Sequence, residues 1–561
     1  MADLPSSIMK DFGWWQLRAV FLIYLCKIPS SWFMACMIYT GPAPKDGDFY
    51  CKPPAAISSH FNETKWVRAA HPVMEGVNDD HEISVDYCNV FEKSLEYYND
   101  PNFTSWHKLS NDTKLISCTA FEHRSDYPSI ITQFDLVCSR YWLIPTTQCA
   151  HQFGVLLGGI LTVQLMKTIS PRNMMLMGMY TQIACGCITG YISAFEMHTL
   201  FRCLSAIFCG FMYTAGSVIM NDITGGKFKT ATICLFEQFW SIGVIMLPGI
   251  ASLATSWNEL YMAISLPTFV YIILHKWIPD SPRWLLKHGR VQEARELLMG
   301  AAKSNGSEDS IPIDFDHQLK SFSETASVQP EPDAWWTIWK EKGSMKNLIC
   351  IHLAWGLFCT AYYGMLLNIA AFGREKIEFN TVVAGTSEIA GTFIGLVFIM
   401  FSKNKWLWCG LLNAVGCSVA YLAWLIPPEV TGNDRTALLM ITAMIPKACI
   451  SCCLGLLVTC TAELVGPSKK NGVAYSCTVW GRTCFLIAPY IVATVEFGQL
   501  VPLTAFGSMA VVGGIFVMCI NRTQTYPIAQ QQGSVYRDTM VKSTDWITEK
   551  QAELVEMRPK F

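Results

Sequence analysis

Apolar residues in this chain fall in long blocks, without the strict alternation of a half-buried strand. Twelve runs of roughly 18–25 residues lie near 17–39, 143–165, 174–193, 202–221, 231–252, 260–278, 347–369, 381–401, 406–426, 436–460, 473–495 and 500–520. At about 20 residues per crossing of a hydrocarbon layer ~30 Å thick, each run predicts a membrane-spanning helix. Arg18, Lys27 and Lys447 interrupt the first and tenth runs. A polar stretch at 279–346 divides the spans six and six. The predicted fold is an all-α membrane protein of twelve transmembrane helices in two six-helix halves, 17–278 and 347–520, with polar ends at 1–16 and 521–561. Residues 1–16 carry two acids and no apolar core, so no cleavable signal peptide is expected there.

Basic residues in the short loops set the orientation. Lys167, Arg172, Lys227, Lys229, Lys403, Lys405, Lys469 and Lys470 flank one side, against only Arg374, Lys376 and Arg435 on the other. Eight against three places both termini in the cytoplasm by the positive-inside rule. The long first loop, 40–141, is then extracellular. It carries three N-glycosylation acceptors, Asn62, Asn102 and Asn111, and four cysteines, Cys51, Cys88, Cys118 and Cys138. In an oxidising compartment these cysteines predict two disulfides, with three connectivities open. Asn305 and Asn521 also fit the acceptor pattern but fall on the cytoplasmic side and should stay unmodified. The second long loop, 279–346, holds an amphipathic helix with Val291, Ala294, Leu297, Leu298 and Ala301 on one face, followed by a flexible-looking stretch, 304–332, rich in Ser, Asp, Glu and Pro.

Composition rules out the soluble multidomain protein that 561 residues would otherwise suggest: 51% are hydrophobic and only 15% charged. Lys+Arg and Asp+Glu, 42 and 44, nearly balance, which gives no basic excess for nucleic acid. Of the 23 cysteines, 19 lie in or beside the spans, where a small apolar residue is all that packing asks for.

Three motifs carry a family resemblance. They are Gln133-Phe-Asp-Leu-Val-Cys-Ser-Arg-Tyr-Trp142 before the second span, Pro279-Asp-Ser-Pro-Arg-Trp-Leu285 after the sixth, and Thr461-Ala-Glu-Leu464 after the tenth. With the acceptor-bearing first loop, the chain from about residue 10 to 525 resembles the organic cation, anion and carnitine transporters of the major facilitator superfamily. The resemblance implies a plasma-membrane glycoprotein that moves small organic ions by alternating access. An internal repeat fits that architecture: Asp222 closes the fourth span and Glu463 the tenth, each followed by paired lysines. Asp222, Glu463 and Arg283 are the expected gating residues. One departure stands out. The family's 2–3 loop usually carries an acid that helps latch the cytoplasmic gate, whereas residues 163–172 and 402–405 here contain none. Their loss should favour the inward-facing state.

Ionisable residues inside a span cost roughly 2.5–3.5 kcal/mol each near a helix centre, and so point to function. Those present are Lys27, His151, Glu237, Glu388, Lys447 and Arg482; Arg18 and Arg202 lie near enough to span ends to snorkel. Arg482 occupies a slot that, in the similar family, is basic in the anion and carnitine branches and acidic in the cation branch. Its planar fork suits a carboxylate. The competing reading is a buried ion pair between Arg482 and Glu237 or Glu388. Tyr362 and Tyr363 resemble the family's paired cavity tyrosines, and Gln238 and Trp240, with Phe236 and Phe239, offer a second wall. Glu388, Glu237, Lys27 and Lys447 are the remaining substrate-site candidates.

Gly225-Gly-Lys-Phe-Lys-Thr230 lacks the first glycine and the hydroxyl of a phosphate loop, Cys449 and Cys452 have no second pair, and no hydrolase elbow occurs. No cofactor, metal or enzymatic activity is expected. The partners are the lipid bilayer, a small organic ion, and a coupling ion or counter-substrate that the sequence leaves open. The favoured cargo is an anion or zwitterion bearing a carboxylate. An organic cation held by Glu388 and Glu237 is the alternative, and a non-transporting receptor or scaffold the second.

Overall fold

The computed structural model describes residues 4–42, 44, 47–53, 63–77, 83–92, 114–125, 127–328, 335–340, 345–373, 376–427, 429–465 and 469–520. Among them, ten helices are long and apolar enough to cross a membrane: Trp14–Thr40, Phe195–Ile223, Phe228–Ala251, Trp257–Trp277, Met345–Phe372, Ile377–Phe401, Lys405–Leu425, Gly432–Leu464, Asn471–Phe497 and Val501–Met518. The second and third spans form helices Leu143–Leu165 and Pro171–Thr189, of 23 and 19 residues. They are long enough to cross at 1.5 Å per residue but more polar. The former buries Gln148, His151 and Gln152 inside the bundle and the latter buries Gln182, so their polarity faces protein instead of lipid. The twelve helices of the expected fold are all present.

Local chemistry shapes the spans where the charges sit. Pro29 cannot donate to the Leu25 carbonyl one turn back. That freed carbonyl accepts the Tyr271 hydroxyl at 2.7 Å instead, and Lys27 lies within the distorted turn. Lys447 also lies beside a proline, directly after Pro446 inside its helix.

The two halves repeat one packing device. A Cβ on Gly154 or Gly158 would sit 2.4 or 2.2 Å from the carbonyl oxygen of Cys203 or Ile207. One on Gly391 or Gly395 would sit 2.0 or 2.8 Å from that of Ala448 or Cys452. Glycines four apart therefore let the second span lie against the fourth and the eighth against the tenth, backbone to backbone.

Among the described residues, two large hydrophobic cores divide the bundle unequally. One joins the second half to residues 28–38, 130–137, 244–247 and 257–264 of the first. The other contains no second-half span residue and joins the first half to the N-terminal segment and the loop helices, with Met9, Ile23, Met175, Met212, Ile219 and Leu298 among its members. The halves are thus sealed together at the end near residues 38–40 and 257, the hairpin end, and packed separately at the opposite, helical-loop end.

At the hairpin end, the described strands pair as three antiparallel ribbons: Phe49–Cys51 with Phe121–His123, Val73–Val77 with Ile83–Val85, and Asn89–Phe91 with Leu115–Ser117. Cys51 pairs with Cys118 and Cys88 with Cys138, one of the three open connectivities. The Gln133–Trp142 motif anchors this unit to the bundle. Gln133 Oε1 accepts from Trp257 Nε1 at 2.8 Å, and the Phe134 ring packs between Phe195 and Trp257. Asn62, Asn102 and Asn111 lie outside the described residues.

At the other end, helices Pro282–Lys287, Val291–Ser304 and Phe315–Val328 pack beneath the first half. Ala294, Leu298 and Ala301 are buried, the face expected of them. The stretch expected to be flexible, 304–332, contains the third of these helices, because Phe315, Leu319 and Phe322 share one face and pack into the first-half core. Asn305 fastens the N-terminal segment: its Nδ2 donates to Met9 O at 2.9 Å and Gln16 Oε1 at 2.7 Å, and its Oδ1 accepts from Trp15 N at 3.0 Å.

Candidate functional site

Five intramembrane charges meet where the halves face each other. In the first half, Lys27 Nζ lies 3.1 and 3.0 Å from the two oxygens of Glu237, and the Tyr213 hydroxyl donates to the same carboxylate at 2.7 Å. The ammonium also stands 3.6 Å from the Tyr213 ring centroid and 4.4 Å from that of Phe236. Lys27 is 3% exposed but Glu237 is 31% exposed, so the carboxylate borders open space.

In the second half, Lys447 Nζ lies 2.6 Å from Glu388 Oε1, with side chains 0% and 1% exposed. Neither atom makes an aligned hydrogen bond, so the contact is coulombic. Ser241 of the fifth span donates to Glu388 Oε2 at 2.8 Å, a bond that crosses between the halves. The Tyr362 ring covers the lysine at 4.8 Å.

Arg482 is the fifth charge. It is half-buried, its guanidinium 4.9 Å from the Tyr213 ring across the interface. Among the described residues it makes no ion pair and no hydrogen bond. The ion pair weighed against substrate binding does not form: each acid is taken by a lysine, and Arg482 keeps its charge uncompensated.

The paired tyrosines divide. Tyr362 borders the charges, whereas Tyr363 is fully buried between Met34 and Ala488, with its hydroxyl held by Gln148. Tyr363 is therefore a seam residue and not a pocket wall. Trp240 lies 6.0 Å from Lys27 Nζ. Gln238 is buried with neither amide atom hydrogen-bonded to protein. Phe239 turns away onto Tyr24.

Arg202 does not snorkel. It is 2% exposed, and its guanidinium bonds Gln148 Oε1 and the Tyr261 hydroxyl, with Cys36 Sγ at 3.5 Å. Gln148 also donates to Met34 O at 3.0 Å, so a chain of hydrogen bonds runs from Arg202 through Gln148 to Tyr363 and ties the halves at the hairpin end. Gln148, His151 and Gln152 sit at i, i+3 and i+4, a polar face on a spanning helix that was a readable signal for this seam.

The gating candidates lie at the helical-loop end. Ser281 caps the helix Pro282–Lys287 and donates to Asp222 Oδ2, with Arg283 in that helix's first turn. Glu463 pairs with Lys405 at 2.7 Å. In place of the absent 2–3 loop acid, the Met166 carbonyl accepts Trp284 Nε1 at 2.6 Å, and Arg172 N donates to Asp280 at 3.2 Å.

A helical bundle in two halves with charges gathered between them is the architecture of many membrane carriers. The model of the Major Facilitator Superfamily matches residues 146–489, and the chain belongs to that family. Curated relatives include an organic cation transporter protein of Drosophila melanogaster, 24% identical over 93% of this chain and 92% of the relative. Organic anion transporter 3 of Oryctolagus cuniculus is 24% identical over 88% and 86%. These relatives are transporters and not enzymes, and they bear out the resemblance carried by the three motifs. Among solved structures, the xylose transporter XylE from E. coli superposes with a TM-score of 0.57 at 10% identity, covering 90% of this chain and 97% of that one, which establishes a shared fold.

Proposed function

We propose that this transporter carries small organic anions or zwitterions, and that Arg482 grips the substrate's carboxylate. The carrying observation is the charge arrangement: of the five charges in the central cleft, Lys27 holds Glu237, Lys447 holds Glu388, and Arg482 has no counter-ion among the described residues. A guanidinium offers two parallel donors to one carboxylate, and a half-dry site strengthens that bond. Tyr213 and Tyr362 pack the substrate's body, and Glu237, being partly exposed, receives the ammonium of a zwitterion. The relatives' names do not decide the charge, since one bearing "cation" and one bearing "anion" are equally similar.

The cycle in this reading is a rocking of the halves. Closing the helical-loop end and opening the hairpin end breaks the Gln148–Tyr363 bond, and exposes Arg482 to the other side. The positive-inside count supports a helical-loop end facing the cytoplasm of a plasma-membrane protein. On that orientation the packed hairpin end makes this the inward-facing state that the missing loop acids favour.

Uptake into proteoliposomes tests the reading. Saturable accumulation of carboxylates, with quaternary amines of equal size excluded, is the expected result and eliminates the receptor alternative. Accumulation of the amines alone would establish the organic-cation reading.

A further inference from the structure

At the hairpin end, a cavity of about 350 Å³ opens between the halves. Ile38, Tyr39, Tyr127 and Ala254 wall it from the first half, and Ile377 and Glu378 from the second. That volume lies within the range of small-molecule sites, about 300–1,000 Å³. Among the described residues its wall is mostly apolar and aromatic, with Glu378 the one formal charge. Glu378 is exposed and has no ion pair or hydrogen bond among the described residues. Lys376, two residues before it, is exposed and does not line the cavity. One turn inward, the Tyr39 hydroxyl donates to Thr381 Oγ1 at 3.0 Å, so the wall itself is a junction between the halves.

We propose that this cavity binds a small organic monocation with an apolar body, and that such a ligand holds the halves together at the hairpin end. Two tyrosines and a free carboxylate suit a quaternary or protonated amine: tyrosine faces attract cations, and the carboxylate supplies the counter-charge. The walls come from both halves, so the assembled site exists only while they meet here. A ligand that binds one state better shifts the equilibrium towards it. The bound cation therefore slows the cycle without competing for the central cleft, whose uncompensated charge is positive. Binding here does not depend on what the central cleft carries.

The purified full-length chain in nanodiscs, titrated with benzyltrimethylammonium and with its neutral isostere neopentylbenzene, tests this directly. The thermal midpoint should rise with the cation, and the neutral compound should bind about tenfold more weakly. Glu378→Gln should weaken the cation about three- to tenfold, a modest effect because the carboxylate is exposed, and Tyr39→Leu should weaken it similarly. Arg482→Gln should leave cation binding intact. No shift in the wild type, equal binding of the neutral isostere, or a loss with Glu388→Gln but not Glu378→Gln would overturn the proposal, the last by placing the cation in the central cleft.

Discussion

Removing one member of the Lys447–Glu388 pair should cost far more than removing both. The two side chains are 0% and 1% exposed, and their charged atoms lie 2.6 Å apart. A buried pair broken on one side typically loses 3–5 kcal/mol, because the survivor is left uncompensated, whereas a full apolar replacement is often close to neutral. The survivors differ here. Lys447→Met leaves Glu388 the Ser241 hydroxyl at 2.8 Å, a bond to a charged group worth about 1.5–3 kcal/mol. Glu388→Leu leaves Lys447 mainly the Tyr362 ring at 4.8 Å, worth about 0.5–2 kcal/mol. Glu388→Leu should therefore be the worse single variant by about 1 kcal/mol, and the double variant should recover at least 2 kcal/mol relative to the additive sum. Thermal unfolding of the four proteins in one detergent, analysed as a double-mutant cycle, measures this. Additive losses would refute the pairing, and with it the claim that Arg482 holds the excess charge.

Other consequences follow from the packing and the loops. Gly391→Leu and Gly158→Leu should abolish a stable fold, since even a Cβ would meet a facing carbonyl at 2.0–2.2 Å, while Gly249→Ala, with nothing within 4 Å, should be neutral or gain up to about 1 kcal/mol in a melting assay. In the ribbon unit His71 is buried against Tyr87 with Nδ1 meeting the Asp86 carbonyl at 2.9 Å, and burial pushes its pKa below the ordinary 6.5. The unfolded chain then binds the extra proton, so this contribution is intact above about pH 6.5 and fades as pH falls towards the folded value; hydrogen exchange should show the unit loosening below pH 6.5, less steeply in His71→Gln. Glycan mapping should find Asn62, Asn102 and Asn111 modified and Asn305 bare, its amide nitrogen being already hydrogen-bonded twice. Asn305→Ala should release the N-terminal segment to protease.

Much of the fold was legible because lipid imposes a simple rule, a run of apolar residues per crossing, and the deviations were physical. Leu143–Leu165 reads weakly by hydropathy since its Gln148, His151 and Gln152 face protein. The helix Phe315–Val328 hides within an acidic, serine-rich stretch because three apolar residues on one face suffice when a core is at hand. The site's inventory was readable from charge placement, but its pairing was not: nothing in the order of residues says that Glu237 meets Lys27 while Glu388 meets Lys447. Arg202 was misplaced for a related reason. Seven residues into its helix it has the length to reach water, yet Gln148 and Tyr261 from neighbouring spans claim the guanidinium first. The glycine pairs four apart in the second and eighth spans were a repeat signal as clear as Asp222 and Glu463, since each marks a close helix crossing.

The most direct test of the central claim is the ratio of carboxylate to quaternary-amine uptake in wild type and Arg482→Asp, in proteoliposomes with matched protein incorporation. A bidentate, charge-assisted grip worth about 1.5–3 kcal/mol corresponds to about a 10- to 150-fold loss of carboxylate transport. The account predicts that loss together with a reversal of preference towards the amine. An unchanged ratio, with the variant folded and still transporting carboxylates, would contradict it.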